Sequence, residues 1–405
     1  MKKSRAILKY MAAGVWLTLF WSSCTEPPDS DRIIVENDLT NLAARVTQAN
    51  EIVVLDTSIQ NSGLGKVAVN PVTITLIAEV ESPVLEGEVL QATDVYVKSN
   101  IAYVSYNMIG EKYLGAVDLF DISDEEQPEL ISSMYFIDSD VNGLAYSNDH
   151  IYLAMATSRS DFETPAVVEM VTIKKGLLTD ETETFDIPSY AATDIEVAAS
   201  RIFVTSGADG GHVSVIDDKT HEVEFSAPLE DARGVSTDGN DIAAVAGTPA
   251  RVLTFDYQSG ELLMDYTLSG ASIPFSKSTI EVYKQKAVLA LGDGGVKVIC
   301  LETGEVIADI APPVIVDLDP TLTVANAATT SGKMLYMSNG EAGVYIAYSK
   351  DKFSSNDCDV DDLQMIGSFR FDDLQSVNHI KVDGDFLFVA GGLGGLKILK
   401  VEEAD

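Results

Sequence analysis

The sequence predicts an all-β fold, a single seven-bladed β-propeller with four-stranded blades whose last blade is closed by an N-terminal strand. Three observations predict it. A strand-rich unit of about 40 to 52 residues recurs along the chain, the spacing of a propeller blade. No helical period of comparable length interrupts it. The final unit lacks an outer strand, and a spare strand of the right kind lies near the N-terminus.

The repeat unit is a short apolar run, a turn, a second strand, a glycine-containing turn and further apolar strands. Read from Thr93, the first copy runs TDVYV, IAYVSY, GAVDLFDIS and PELISSMYF, four strands separated by turn residues. The later copies carry their second strands at His150, Arg201, Asp241, Ala287, Lys333 and Asp385, which makes seven in all. The seventh stops after its third strand, Leu396 to Val401, with only a short acidic tail beyond. VTITLIAEV, from Val72 to Val80, resembles the outer strands of the other copies. Pairing it with the last copy would close the ring and cover an exposed sheet edge.

The chain opens with a different signal. Lys2, Lys3, Arg5 and Lys9 precede the apolar stretch Tyr10 to Phe20, the pattern of a secretory leader. That stretch is too short to span a bilayer. Residues 1–23 are therefore expected to be a signal peptide, 24–66 a tether and short segment packed on the propeller, and 67–405 the propeller. Within the second region Leu39, Leu42, Ala43 and Val46 fall at helical spacing, and EIVVLDTSI follows as a strand.

Composition narrows the partners. The chain has 27 basic and 63 acidic residues, and loss of the leader's four basic residues deepens the formal charge from −36 to −40. Such a field repels nucleic acid and anionic lipid. A direct contact of the protein surface with a membrane is therefore not expected, and the expected state is a monomer. Of three cysteines, Cys24 lies at the end of the leader, while Cys300 sits in an apolar strand pattern and Cys358 in an acidic loop. No disulfide between the last two is expected, because a chain of this length builds its core without one. The loop from Ser354 to Asp362 reads as a solvated insertion between strands, and the glycine-rich turns read as hairpins rather than phosphate cradles.

In a propeller the inner strands begin at one mouth of the central channel. The residues that open them are Thr93-Asp94, Asn142-Gly143, Thr193-Asp194, Arg233-Gly234, Ser278-Thr279, Asn326-Ala327 and Asn378-His379. Thr93, Asp94, Asn142, Thr193, Asp194, Arg233, Asn326, Asn378 and His379 are accordingly the candidate ligand-binding residues. This ring could orient a small polar ligand, coordinate a divalent cation through Asp94 and Asp194, or latch neighbouring blades through backbone hydrogen bonds. His379 with Asp94, Asp194 and Arg233 could also form an acid/base group.

Two resemblances add to this reading. Trp21-Ser22-Ser23-Cys24 resembles the lipobox of bacterial lipoproteins, which implies lipidation of Cys24, and the acids Glu26, Asp29 and Asp31 resemble a surface-export signal. GAVDLFDISDEEQPELISSMYF, from Gly115 to Phe136, resembles the LVIVD repeat of bacterial propellers, and GGLGGLKILKV fits the same consensus. RIFVTSGADGGHVSVIDDKTHEV is similar to the related YVTN repeats. The resemblance implies an outer-membrane lipoprotein, on the cell surface or the periplasmic face, that binds a protein or glycan partner without catalysis and without a cofactor. A hydrolase or lactonase acting on a sugar or lactone at the channel mouth is the alternative. Both tryptophans, Trp16 and Trp21, lie in the leader, so WD-repeat, quinoprotein and sialidase signatures are excluded.

Overall fold

The computed structural model describes residues 32–58, 65–66, 72–207, 210–270, 272–273, 277–360, 363–371 and 375–403. Cys24, the leader before it and the acids Glu26, Asp29 and Asp31 lie outside them. The described strands form seven blades in chain order, each an antiparallel up-and-down sheet. The inner strands are Gln91–Lys98, Ser139–Ser147, Ala191–Ala198, Ala232–Thr237, Ser278–Tyr283, Ala327–Ser331 and His379–Asp383.

Middle strands read as unbroken apolar runs because both their faces are covered by neighbouring blades. Ile101–Asn107 and His150–Thr157, for example, are buried along nearly their whole length. Apolar side chains gather into seven clusters, one in each gap between adjacent blades, including the gap between the seventh and the first. A linear stack of seven sheets has six gaps. The seventh cluster, with Phe388 and Ile398 packed among Val104 and Phe120, is therefore direct evidence of a closed ring.

The closing strand is the one expected from the sequence. Val72–Val80 pairs antiparallel with Leu396–Glu403, with Val80 opposite Leu396 and Val72 opposite Glu403. The glycine turns are hairpins, as expected. Gly395 (φ +73°) opens the third strand of blade 7, and a Cβ there would lie 2.0 Å from the Val80 carbonyl oxygen, so only glycine admits the closing strand.

The segment before the ring is woven into three blades. Ile33–Glu36 adds a fifth strand to blade 1 and Val46–Ile52 one to blade 7, both antiparallel, while Gly65–Lys66 pairs parallel with blade 6. Between the first two, helix Leu39–Ala43 is capped by Asp38, which accepts the Thr40 amide at 2.8 Å. Arg45 follows the helix and straddles the closure. Its guanidinium donates to the Glu81 carbonyl at 2.9 and 3.1 Å and grips the fully buried Asp118 of blade 1 at 2.6 and 3.0 Å. A fork of this geometry fixes the strap across the first and last blades.

One expectation is overturned. Cys300 and Cys358 form a disulfide, with Cα atoms 5.2 Å apart. Cys300 ends the third strand of blade 5, and the ring places the insertion of blade 6, described over 349–360, beside that end. The insertion is also not simply solvated. Phe353 is buried, and the fully buried Lys286 donates to the Ser355 carbonyl (2.9 Å), the Ser355 hydroxyl (3.1 Å) and the Asp357 carbonyl. The bond closes a loop over a sequence separation of 58 residues. Replacing Cys358 with serine should lower unfolding free energy by about 2–4 kcal/mol, read from the urea midpoint of the variant beside the oxidised wild type. Equal midpoints would show that the bond leaves the fold's stability untouched.

Candidate binding site in the central channel

Each inner strand of blades 1 to 4 starts with a β-bulge. The register slips between Ala92 and Asp94, Val141 and Gly143, Ala192 and Asp194, and Ala232 and Gly234. Thr93, Asn142, Thr193 and Arg233 are the extra residues, and a bulge re-aims the side chain of such a residue. The first members of all seven sequence pairs, Ser278, Asn326 and Asn378 included, line a cavity of about 550 Å³ at one mouth of the channel. The second members divide from them. Asp94, Asp194 and His379 line a larger cavity of about 830 Å³.

Both sets hold blades together. At the mouth, side-chain donors reach the next blade's backbone carbonyls. Thr93 donates to Val141 (3.1 Å), Asn142 to Ala192 (2.8 Å), Thr193 to Ala232 (2.9 Å), Asn326 to Val377 (2.9 Å) and Asn378 to Ala92 (3.2 Å). Deeper in the channel the polarity reverses, and side-chain acceptors take the next blade's N–H groups. Asp94 accepts from Leu144 (3.3 Å), Asp194 from Val235 (2.9 Å), Ser236 from Val282 (3.1 Å), Glu281 from Thr330 (2.9 Å) and Thr329 from Val382 (3.4 Å). His379 carries this ring across the closure by accepting the Val95 N–H at Nδ1 (3.3 Å). At the gap between blades 2 and 3 the corresponding residue is Gly143, where a Cβ would sit 2.9 Å from the Asp194 carboxylate.

This arrangement decides what the supposed acid/base group does. With Nδ1 accepting an N–H, the His379 proton sits on Nε2, 3.1 Å from Asp94 Oδ1. Both imidazole nitrogens are thus engaged. Burial, opposed only in part by the Asp94 charge, lowers its pKa to about 4, so the ring is neutral at pH 7. Both Asp194 oxygens accept backbone N–H groups, from Ile195 and Val235, while burial and then the neighbouring Asp94 push its carboxyl well above the usual carboxylate range. Arg233, the fourth member expected, is separate and pairs with Asp231.

Lys277, which the sequence reading did not single out, sits where a cation was expected. It precedes the inner strand of blade 5, donates across the channel to the Thr93 carbonyl of blade 1, and is attracted by both Asp94 and Asp194. Burial lowers its pKa against that pull. Among the described residues no group of three or more His, Cys, Asp or Glu side chains converges to hold a metal ion.

The mouth itself is rich in amides. Asn378 donates to Gln91 (3.3 Å), Gln91 to Asn107 (2.7 Å) and Asn107 to Asn142 (2.9 Å), a continuous chain of side-chain amides. Gln91 and Asn107 belong to the site but were not anticipated, because they lie at the start of the inner strand and the end of the second strand of blade 1 rather than within the pairs.

No protein-family model matches this chain, and no curated protein matches it. Among solved structures it is similar to the crystal structure of the computationally designed Ika8 protein, at 13% identity over 87% of this chain and 100% of that one, with a TM-score of 0.47. The seven-bladed propeller is established by the chain's own sheets and the seven gaps between them.

The shifted His379 pKa has a consequence for stability. A pKa lowered from 6.5 to about 4 means that the unfolded chain binds more protons than the native one between those values, so the contribution of neutral His379 is present above pH 6.5 and is lost on acidification towards pH 4. The stability advantage of wild type over His379→Gln should therefore shrink by about 2–3 kcal/mol between pH 7 and pH 4, as measured by urea unfolding of both proteins across that range. An advantage independent of pH would show that the imidazole is not held neutral.

Proposed function

We propose that this protein is a lipid-anchored extracytoplasmic binding module of the LVIVD type, which takes a polar group of a protein or glycan partner at the amide-lined mouth. The amide chain from Asn378 to Asn142 carries this reading. Each side-chain amide offers two N–H donors and a carbonyl with two acceptor sites, and the bonds within the chain use only part of that capacity. Uncharged groups that both donate and accept suit hydroxyls and peptide groups. Of the charged groups at this mouth, Arg233 is paired with Asp231 and Lys277 is drawn to Asp94 and Asp194, while Glu341 adds one carboxylate to the lining.

The residues expected to serve the hydrolase or lactonase alternative are not free to do so. A general base needs a free acceptor facing the substrate. His379, Asp94 and Asp194 instead spend their acceptors on backbone N–H groups and on each other. Anchoring at Cys24 is supported by the charged leader, the lipobox-like sequence and the polar, proline-containing stretch that follows.

Asn107→Ala removes the centre of the amide chain without touching a backbone latch between blades. On arrays of immobilised glycans and peptides the variant should bind at least about tenfold more weakly than wild type, the loss of one or two good hydrogen bonds, with an unchanged melting temperature. Unchanged binding would remove the amide mouth from the function. Cys24→Ser should abolish incorporation of radiolabelled palmitate and release the protein from the membrane fraction. Persistent labelling would show that the lipid is attached elsewhere.

A further inference from the structure

The larger cavity, about 830 Å³, shares Asp94, Asp194 and His379 with the latch ring but extends away from the amide mouth along the inner strands. Seven carboxylates line it against three lysines, so its interior is negative before any ligand enters. Part of that charge is already committed. Asp94, Asp194 and Glu281 accept N–H groups from adjacent blades, and Lys381 is bonded to Glu281 at 2.6 Å.

Glu196 is different. It sits two residues beyond Asp194 on the same inner strand, so it faces the same side, farther along the channel. It accepts a single hydrogen bond, from the N–H of adjacent Val197 at 3.1 Å, and no ammonium or guanidinium lies within ion-pair distance of it among the described residues. The group is largely enclosed by protein but only half-buried against the channel. Burial, only partly offset by that hydrogen bond and by Lys381 and Lys98, raises its pKa to about 7. A carboxylate so placed lacks an ion-pair partner of its own.

We propose that this cavity is a second binding site, for a small primary ammonium carried on a hydroxylated body, with Glu196 receiving the ammonium. A charge-assisted N–H···O⁻ bond in an enclosed site is roughly twice as strong as a neutral one. Tyr96, Tyr257, Tyr283 and Thr237 line the same cavity and suit the hydroxylated body with phenol rings and hydroxyls. A divalent metal fits less well, because calcium takes six to eight oxygens and no three ligating side chains converge here among the described residues.

The probe is 1-amino-1-deoxysorbitol, and sorbitol is its uncharged twin. Calorimetric titration of the folded protein at pH 8 should show the amine binding at least tenfold more tightly than sorbitol. Because only the ionised carboxylate pairs with the ammonium, affinity for the amine should rise roughly tenfold from pH 6 to pH 8, the gain expected of a group titrating near 7. Glu196→Gln should abolish both the preference and the pH dependence. Asn107→Ala should leave both intact, which separates this site from the amide mouth. Equal affinity for sorbitol, no binding of the amine, or a Glu196→Gln variant that binds like wild type would each overturn the proposal. The comparison of the two probes on wild type decides the matter even where the variant fails to fold.

Discussion

The structure depends on closure of the ring. Every blade buries both faces of its middle strands against its neighbours, so an open ring would leave blades 7 and 1 each with one apolar face in water. Burial of a single Leu or Phe side chain is worth about 1.5–3 kcal/mol, and the gap between these blades buries Phe388, Ile398, Leu396, Val104, Phe120 and others. That loss exceeds the roughly 5–15 kcal/mol by which a folded domain is stable. The chain secures this gap three times over: with the strand Val72–Val80, with the strap that crosses from blade 1 to blade 7, and with Arg45 gripping Asp118.

Closure also shapes the channel. Seven inner strands meeting around an axis bring polar side chains together, and the backbone groups at their starts need partners. The protein answers with two sets of latches of opposite polarity, donors at the mouth and acceptors below, so that every neighbouring pair of blades is tied at one depth at least and four pairs at both. Residues that resemble a catalytic group thereby become structural, since His379 completes the acceptor ring at the closure itself. What is left over defines the binding surfaces. On one side these are amide groups with spare hydrogen-bonding capacity, on the other a carboxylate without an ion-pair partner.

Much of this was legible in the sequence because it is periodic. Seven copies and one spare strand specify seven blades and their closure, and the position that opens each inner strand is readable from Thr93 to Asn378 without coordinates. The bulge explains why that position is polar in the first four copies, and Gly395 shows why a glycine must open the last hairpin strand. Features that break the repeat were not legible. Lys277 precedes the inner strand of blade 5 and acts on blades 1 and 3 across the channel, a contact between non-adjacent repeats. The bond between Cys300 and Cys358 joins one blade's third strand to the next blade's insertion, so neither local pattern hints at the other. The division of the candidate pairs between two cavities follows from strand alternation, which the pairs contained but which becomes decisive only once the channel axis is known.

Hydrogen exchange measured by mass spectrometry tests closure most directly. If Val72–Val80 is an integral strand of the last blade, peptides covering it and Leu396–Val401 should exchange together, through the same opening event and as slowly as the middle strands of the other blades. Rapid exchange of Val72–Val80 while Leu396–Val401 stays protected would contradict the closed ring.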